Sequence, residues 1–176
     1  MEKTNKTESK MQIWLLAMRP RTLPAAAAPV IVGSAMAYYE NAFRLLPALS
    51  ALAGALLLQI GANLANDVFD YQKGADNTKR LGPTRVTQSG MLSPNEVKAG
   101  MWLTFGLAAL IGVYLTLVSG WPVIAIGLAA IAAAILYTGG PFPYGYRGLG
   151  EVFVFLFFGL AAVAGTYYVQ AVRISW

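Results

Sequence analysis

Residues 45–66 read LLPALSALAGALLLQIGANLAN and contain no Asp, Glu, Lys or Arg. A helix of about 20 largely apolar residues is long enough to cross the roughly 30 Å hydrocarbon core of a membrane. Residues 22–39, 99–146 and 152–172 are equally free of charge. The composition agrees, because 57% of the residues are hydrophobic and only 12% are charged, whereas soluble domains carry about 25% charged residues.

The stretch 99–146 is too long for one membrane helix, and the sequence SGWP at 119–122 divides it with turn-forming residues and an interfacial tryptophan. We therefore predict an all-α, polytopic membrane helical bundle. The predicted transmembrane domain covers residues 22–176 and has five spans, at about 22–40, 46–66, 99–118, 122–139 and 152–172.

The thirteen Lys and Arg residues are sorted by these spans. All except Arg44 and Arg173 fall on one side, in the N-terminal segment, the loop 67–98 and the connection that contains Arg147. Positive residues concentrate on the cytoplasmic side of a membrane. We expect a multi-pass protein of the cytoplasmic (inner) membrane, with its N-terminus and the loop 67–98 in the cytoplasm. The net charge of +5 then reflects orientation in the bilayer, and no nucleic acid partner is expected.

The segment 1–21 is expected to be cytoplasmic and to include a short interfacial helix at 11–18, ahead of Arg19-Pro20-Arg21. Its basic residues and the apolar run behind them are superficially similar to a signal peptide. The apolar run is longer than a signal peptide needs and further spans follow it, so an uncleaved first span is expected.

A polar stripe lies where the second span meets the cytoplasm. Asn63, Asn66, Asp67 and Asp70 are offset by 0, 3, 4 and 7 positions, which places them on one face of a helix. Ionisable groups at membrane depth usually face a cavity and have a function. Two carboxylates without an interleaved basic residue need a cation or a proton, and Mg²⁺ held by carboxylates and substrate phosphates would meet that need. The alternative is a helix end with a solvated polar face.

Cysteine and histidine are absent from the chain. Their absence excludes disulfides, Cys/His metal sites and histidine-based acid–base chemistry. Any metal must therefore be a hard cation bound by oxygen, such as Mg²⁺, Mn²⁺ or Ca²⁺.

The loop that follows the stripe, YQKGADNTKRLGPTRVTQSG at 71–90, carries basic residues and one further candidate metal ligand, Asp76. Arg and Lys beside a metal–carboxylate group suit the oxygens of a diphosphate. Alternatively, these cations only set the topology or contact anionic lipid. Both interpretations stay open for Lys73 and Lys98, whereas the Gly and Pro residues around Arg80 and Arg85 favour a functional role.

The next cytoplasmic connection, YTGGPFPYGYRGLGE at 137–151, supports no function by itself. Arg147 and Glu151 are spaced to form an ion pair at the start of the fifth span. The tyrosines are also typical of a membrane interface.

The sequence resembles the UbiA-type intramembrane aromatic prenyltransferases. NDVFD at 66–70, followed by Asp76, is similar to their first Asp-rich motif. Three other segments resemble the 1,4-dihydroxy-2-naphthoate polyprenyltransferases of menaquinone synthesis: RPRTLP at 19–24, GPTRVTQSG at 82–90 and YRGLGE at 146–151.

The resemblance implies a nine-helix bundle that uses Mg²⁺ to bind and ionise a polyprenyl diphosphate. The aromatic acid acceptor then attacks the allylic cation, and its carboxyl group leaves as CO₂. Asp67 and Asp70 would be the catalytic carboxylates. The resemblance implies that Mg²⁺–diphosphate is held by Asn66, Asp67, Asp70 and Asp76, with Asn63 a further candidate on the same stripe. The candidate diphosphate ligands are Asn66, Lys79, Arg80, Arg85 and Arg21.

The sequence departs from the family in having five predicted spans and no Asp after Asp76, where the family has a second Asp-rich motif. The chain therefore looks like the N-terminal portion of such an enzyme. We expect it to be inactive alone, or to need a partner that carries the remaining helices.

Three alternatives stay open. Within the family, the acceptor could be 4-hydroxybenzoate or homogentisate. From other classes, the chain could be a cation transport module or a non-catalytic membrane scaffold. The stripe lies at one membrane face, whereas transporter sites usually lie near the midplane.

Overall fold

The computed structural model describes residues 9–75 and 85–172. Within these ranges the chain is helical and contains no β-strand. The helices are α1 (Lys10–Met18), α2 (Leu23–Tyr39), α3 (Leu45–Gln72), α4 (Pro94–Ser119), α5 (Pro122–Leu136), α6 (Gly150–Val154) and α7 (Ala162–Ala171). Two 3₁₀ turns (Pro20–Thr22 and Tyr144–Arg147) and a π-helical segment (Phe155–Ala161) connect or continue them.

In the described part of the chain, four helical segments are long and apolar enough to cross a membrane. They are Lys10–Tyr39, Leu45–Gln72, Pro94–Ser119 and Gly150–Ala171, and α5 is a shorter apolar helix beside them. The predicted all-α membrane bundle is therefore confirmed. The helix predicted at 11–18 is present as α1, while its location at the membrane interface stays a prediction.

Two helix ends differ from the predicted spans. The second span is predicted at 46–66, and α3 extends beyond it to Gln72, so that this helix carries the whole polar stripe. The fourth was expected to reach residue 139, but α5 ends at Leu136. Gly140 follows with a φ of +67°, which only glycine adopts without strain.

Helix α3 is central and packs against α1, α2, α4, α5 and α7. Helix α7 returns to α2 and closes the bundle. Their crossing depends on Gly33, where a Cβ atom would lie only 2.5 Å from the carbonyl oxygen of Val163. Close backbone approach through small residues is how membrane helices gain packing contacts.

A buried apolar core lies at the end of the bundle where α1, α3 and the start of α4 meet. It contains Leu64, Val68, Met101 and, from the loop before α4, Val86 and Leu92. Val86 is completely buried. Residues 85–87 and Leu92 are thus packed into the bundle, which places 85–87 directly beside the polar stripe of α3.

Candidate functional site

The polar stripe lies on α3, as the spacing predicts. Asn63, Asp67 and Asp70 are buried and Asn66 is partly buried. Each of the four side chains contacts a different segment at this end of the bundle. The stripe is therefore a hub that joins segments far apart in sequence.

Asn63 holds the N-terminal segment against α3. Its amide nitrogen donates to the carbonyl oxygen of Met18 and to the hydroxyl of Thr22, both at 2.9 Å. Its carbonyl oxygen accepts a hydrogen bond from Gln59, one helical turn earlier, at 3.4 Å. These contacts give Asn63 a packing role for the RPRTLP segment.

Asn66 faces the interior of the bundle. Its side-chain oxygen accepts a hydrogen bond from the hydroxyl of Thr138 at 3.0 Å. Thr138 follows α5 and is itself buried. Asn66 also lines the main cavity of the bundle, as does Asn63.

Asp67 contacts the loop before α4 and is 1% exposed. One carboxylate oxygen accepts from the backbone N–H of Val86 at 3.1 Å, and the other accepts from the backbone N–H of Thr87 at 3.0 Å. Both oxygens are thus hydrogen-bonded to one short stretch of backbone.

Asp70 contacts two of the other sequence motifs, those that contain Arg85 and Tyr146. One of its oxygens accepts from the guanidinium of Arg85, with which it forms a buried ion pair, and the other accepts from the hydroxyl of Tyr146. Lys73 lies beside them: its ammonium donates to the carbonyl oxygen of Gly140 at 3.1 Å and sits 5.8 Å from the centre of the Tyr146 ring. Motifs separated along the chain therefore meet at one carboxylate.

These contacts bear on the charge argument made from the sequence. Asp67 and Asp70 are predicted to need a cation or a proton, since no basic residue interrupts the stripe. In the structure, Arg85 neutralises Asp70 from a distant loop, and two backbone N–H groups solvate Asp67. The chain itself therefore supplies the groups that let the two carboxylates share one face.

Other candidates are less closely assembled. Arg21 is exposed on the 3₁₀ turn beside Thr22. Asp76, Lys79 and Arg80 lie outside the described residues. Within residues 9–75 and 85–172, no group of three or more Asp, Glu, His or Cys side chains could hold a metal.

Arg147 and Glu151 do not form the ion pair that their spacing allows; both are described and the pair is absent. The Arg147 guanidinium instead lies 3.6 Å from the centre of the Phe142 ring.

A cavity of about 390 Å³ runs between α2, α3, α4, α5 and α7. Its walls are mostly Ala, Gly, Leu, Ile, Val and Phe. Asn66, Tyr137 and Tyr144 line the end of the cavity next to the polar stripe, whereas Leu115, Val123 and Val169 line the opposite end. The cavity thus leads from the polar stripe through the depth of the bundle.

Aromatic rings form one wall of this cavity. Tyr137 meets Tyr144 edge-to-face at 5.4 Å, Tyr144 stacks on Phe153 at 4.0 Å, and Phe153 stacks on Phe157 at 6.2 Å, measured between ring centres. The Tyr144 hydroxyl donates to the carbonyl oxygen of Ala133 at 2.8 Å. Burial, with a smaller contribution from Tyr137, raises the pKa of Tyr144 to about 12. The sequence signalled only interfacial tyrosines and gave no sign that they continue into the bundle as a stack.

Comparison with known proteins is consistent with this architecture. The family model described as the UbiA prenyltransferase family matches residues 26–176. A "1,4-dihydroxy-2-naphthoate octaprenyltransferase" of Mycobacterium tuberculosis is 47% identical over 163 residues, which are 93% of this chain and 56% of that protein. The Escherichia coli protein of the same name is 44% identical over 174 residues, with 96% and 56% covered.

A "2-carboxy-1,4-naphthoquinone phytyltransferase" of Synechocystis is 31% identical over 171 residues, which are 94% of this chain and 53% of that protein. The chain thus spans about half the length of the curated relatives it matches. The family model covers most of the chain, and its matched region includes the stripe, the cavity and the loop that carries Arg85. The chain therefore belongs to the UbiA prenyltransferase family.

Proposed function

We propose that this chain contributes to the Mg²⁺-dependent transfer of a polyprenyl group from a polyprenyl diphosphate to 1,4-dihydroxy-2-naphthoate, a step of menaquinone biosynthesis. The observation that carries the proposal is the meeting of Asp70, Arg85 and Tyr146, one helical turn from the cavity-lining Asn66. A charged group at the mouth of an apolar cavity suits a ligand with an anionic head and a hydrocarbon tail.

The residues present fit Mg²⁺ in part. Asn66 and Asp70 are four positions apart on one helix face and offer neutral and anionic oxygens. Mg²⁺ is usually bound by one or two carboxylates together with substrate phosphates. The partners of Asn66 and Asp70 are side chains, namely Thr138, Arg85 and Tyr146, which can rotate when a ligand enters. Asp76 is a further candidate ligand from the sequence.

Bound at this position, Mg²⁺ would supply positive charge that stabilises the departing diphosphate. Arg85 would exchange its contact with Asp70 for the diphosphate oxygens, which accept bidentate contacts from a guanidinium. Lys79, Arg80 and Arg21 are proposed as additional ligands of the same group. Preorganised cations of this kind stabilise charge that develops in a transition state.

The reaction breaks the bond between the allylic carbon and the diphosphate oxygen, and diphosphate leaves with the electron pair. The ring carbon that bears the carboxylate then forms a bond to the allylic carbon. The bond between that ring carbon and the carboxylate breaks, CO₂ leaves, and the electron pair of that bond restores the aromatic ring. The apolar cavity would receive the prenyl chain and exclude water from the allylic cation, since a closed site prevents hydrolysis of reactive intermediates.

The acceptor assignment is supported by the names of the relatives in Mycobacterium tuberculosis and Escherichia coli. Transfer to 4-hydroxybenzoate or homogentisate is the alternative within the family. An assay that offers the three acceptors in competition distinguishes them, and preferential prenylation of 1,4-dihydroxy-2-naphthoate is expected.

We further propose that the polar end of the bundle faces the cytoplasm of a bacterial inner membrane. The contacts of the stripe bring the N-terminal segment, the loop before α4 and the turn Tyr144–Arg147 to the same end. These are the segments that carry most of the Lys and Arg residues, in agreement with the positive-inside rule.

The central test is binding of farnesyl diphosphate to the purified chain in lipid nanodiscs, with Mg²⁺ or with a chelator. Mg²⁺-dependent binding that is lost in Asp70→Asn supports the proposal. The matched control is Glu96→Gln, an exposed carboxylate at the start of α4, and it should bind normally. A scaffold would show no Mg²⁺-dependent binding, and a transport module would conduct cations in vesicles without any prenyl donor.

The prediction that the chain alone is inactive is tested separately. Prenylated product is measured with the purified chain, donor, acceptor and Mg²⁺. Turnover without any partner polypeptide contradicts it, whereas binding without turnover agrees with it.

A further inference from the structure

Asp67 differs from its neighbours on the stripe in the nature of its partners. Its two oxygens accept hydrogen bonds from the backbone N–H groups of Val86 and Thr87, at 3.1 and 3.0 Å. Asn63 and Asn66 line the cavity, whereas neither carboxylate of the stripe does; the partners of Asp70 are side chains, and those of Asp67 are backbone groups. The carboxylate is turned toward the loop before α4, away from the position where a ligand of the cavity would sit.

We propose that Asp67 is a positioning residue that fixes the 85–87 backbone, so that Arg85 reaches Asp70 and the diphosphate, and that Asp67 is not a ligand of the metal. The effect of Asp67 on diphosphate binding rests on the proposed function. The contact of Asp67 with the 86–87 backbone does not depend on it.

The geometry explains why a carboxylate is needed. An ionised carboxylate has only acceptors, so it can satisfy two N–H donors at once, and such charge-assisted bonds are stronger than neutral ones. An asparagine at this position would offer one oxygen and one N–H₂ group, which would face a backbone donor. With Asp67 at 1% exposure, water cannot replace the missing acceptor.

The loop is held at this point from its other side as well. Val86 is completely buried in the apolar core with Leu92 and Val97. The backbone amides that contact Asp67 are therefore part of a packed segment and cannot rotate away as a side chain can. The packed backbone therefore covers the Asp67 carboxylate and donates one N–H to each of its oxygens.

The link to the site is covalent. Arg85 immediately precedes Val86, so fixing the Val86 and Thr87 amides fixes the start of the Arg85 side chain. From there its guanidinium reaches Asp70, which lies one turn after Asp67 on α3. Asp67 therefore acts through Arg85, and removing both should cost little more than removing Arg85 alone.

A double-mutant cycle tests this relation in nanodiscs, with farnesyl diphosphate as the probe. Asp67→Asn and Arg85→Ala are each expected to weaken binding about tenfold, as expected for losing hydrogen bonds that involve charged groups. The double variant is expected to bind no more weakly than Arg85→Ala, because contacts that act as a unit are not additive. Half-saturation by Mg²⁺ should be unchanged by Asp67→Asn. Additive losses, or a raised Mg²⁺ requirement in both backgrounds, would show that Asp67 is a metal ligand and overturn the proposal.

A second measurement needs neither metal nor donor. Hydrogen–deuterium exchange of the peptide 85–92 is followed in the chain alone, with the peptide 101–108 of α4 as an internal reference for global stability. Asp67→Asn is expected to speed exchange in 85–92 while leaving α4 protected, and Asp70→Asn is expected to leave the Val86 and Thr87 amides protected. Unchanged exchange at 85–92 in Asp67→Asn contradicts the proposal.

If Asp67→Asn does not fold, the same measurements are made on Asp67→Glu. The added methylene displaces the carboxylate but keeps both acceptors, so exchange at 85–92 should rise and half-saturation by Mg²⁺ should not change. Wild-type exchange at 85–92 in Asp67→Glu would contradict the proposal. If wild-type protein shows a protected loop but no Mg²⁺-dependent binding of the donor, the proposed function fails while the anchoring role stands.

Discussion

Tyr146 donates a hydrogen bond to Asp70 across 76 positions of sequence. The same carboxylate accepts from Arg85, so the two sequence motifs after the second membrane helix both contact one residue of that helix. This convergence separates the site from a solvated helix end, in which the polar side chains would face water. Five experiments test this site, the packing of the helices, the cavity and the orientation in the membrane.

Tyr146→Phe removes one hydrogen bond to Asp70 and keeps the aromatic ring. We expect three- to tenfold weaker Mg²⁺-dependent binding of farnesyl diphosphate, about 1 kcal/mol as is typical of one such bond. Tyr39→Phe removes the hydroxyl of a tyrosine that is 86% exposed and should bind like wild type. Equal affinity of Tyr146→Phe and wild type would show that the contact has no role in the site.

Arg85→Ala leaves the buried Asp70 without its cationic partner. Breaking a buried ion pair from one side typically costs about 3–5 kcal/mol, because the remaining charge is uncompensated. We expect a loss of this size in the free energy of unfolding, measured by denaturant titration in detergent. Asp70→Asn added to Arg85→Ala should recover part of it. As a control, Lys10→Ala breaks the exposed Lys10–Glu96 pair and should leave stability unchanged, as surface pairs contribute little.

Gly33→Ala should separate α2 from α7. A Cβ atom there would lie 2.5 Å from the Val163 carbonyl oxygen and 2.9 Å from the Thr166 Cβ, and a backbone atom cannot move aside alone. We expect a loss of about 1–3 kcal/mol in stability, typical of overpacking. Gly106→Ala, where a Cβ would meet nothing within 4 Å, should be neutral or slightly stabilising, because alanine favours the helix. Similar stabilities for the two variants would contradict the close crossing.

Ala130→Phe should fill part of the cavity, whose wall includes Ala130. If the prenyl chain occupies this space, the variant should weaken binding of geranylgeranyl diphosphate more than binding of geranyl diphosphate. The neighbouring Ala129 is exposed on the outer surface of α5, so Ala129→Phe is the matched control. Equal losses of affinity for the two donors would show that the prenyl chain does not occupy this part of the cavity.

The orientation can be tested without background labelling, because the chain contains no cysteine. Phe43→Cys lies in the turn between α2 and α3, and Gln88→Cys lies in the loop before α4; both positions are exposed. In intact bacterial cells, a membrane-impermeant maleimide should label Phe43→Cys. The same reagent should label Gln88→Cys only after the cells are permeabilised. The reverse pattern would invert the proposed topology.

Several features of this protein could be derived from its sequence. The helical membrane fold follows from charge-free stretches, because crossing a membrane depends mainly on the length and apolarity of a segment. The break between α4 and α5 follows from Gly120, which has a φ of +95°, and Pro122. The stripe on α3 follows from the helical period alone.

The partners of the stripe could not be derived in this way. Nothing local in the sequence indicates that Val86 enters the core, that Arg85 neutralises Asp70, or that Arg147 lies on Phe142 when Glu151 is spaced to pair with it. Those outcomes depend on where each loop packs after the helices have assembled.

The sequence by itself determined which segments are helical, which of them are apolar enough for a membrane and which side chains share a face. Only the tertiary structure decided the partners of these side chains. Asn63 contacts the N-terminal segment, Asp67 contacts the backbone at 86–87, and Asp70 contacts the side chains of Arg85 and Tyr146. The physical reason is that helical periodicity and apolarity are properties of consecutive residues. A buried polar group, by contrast, pairs with whichever donors the packing of distant segments brings within hydrogen-bonding distance.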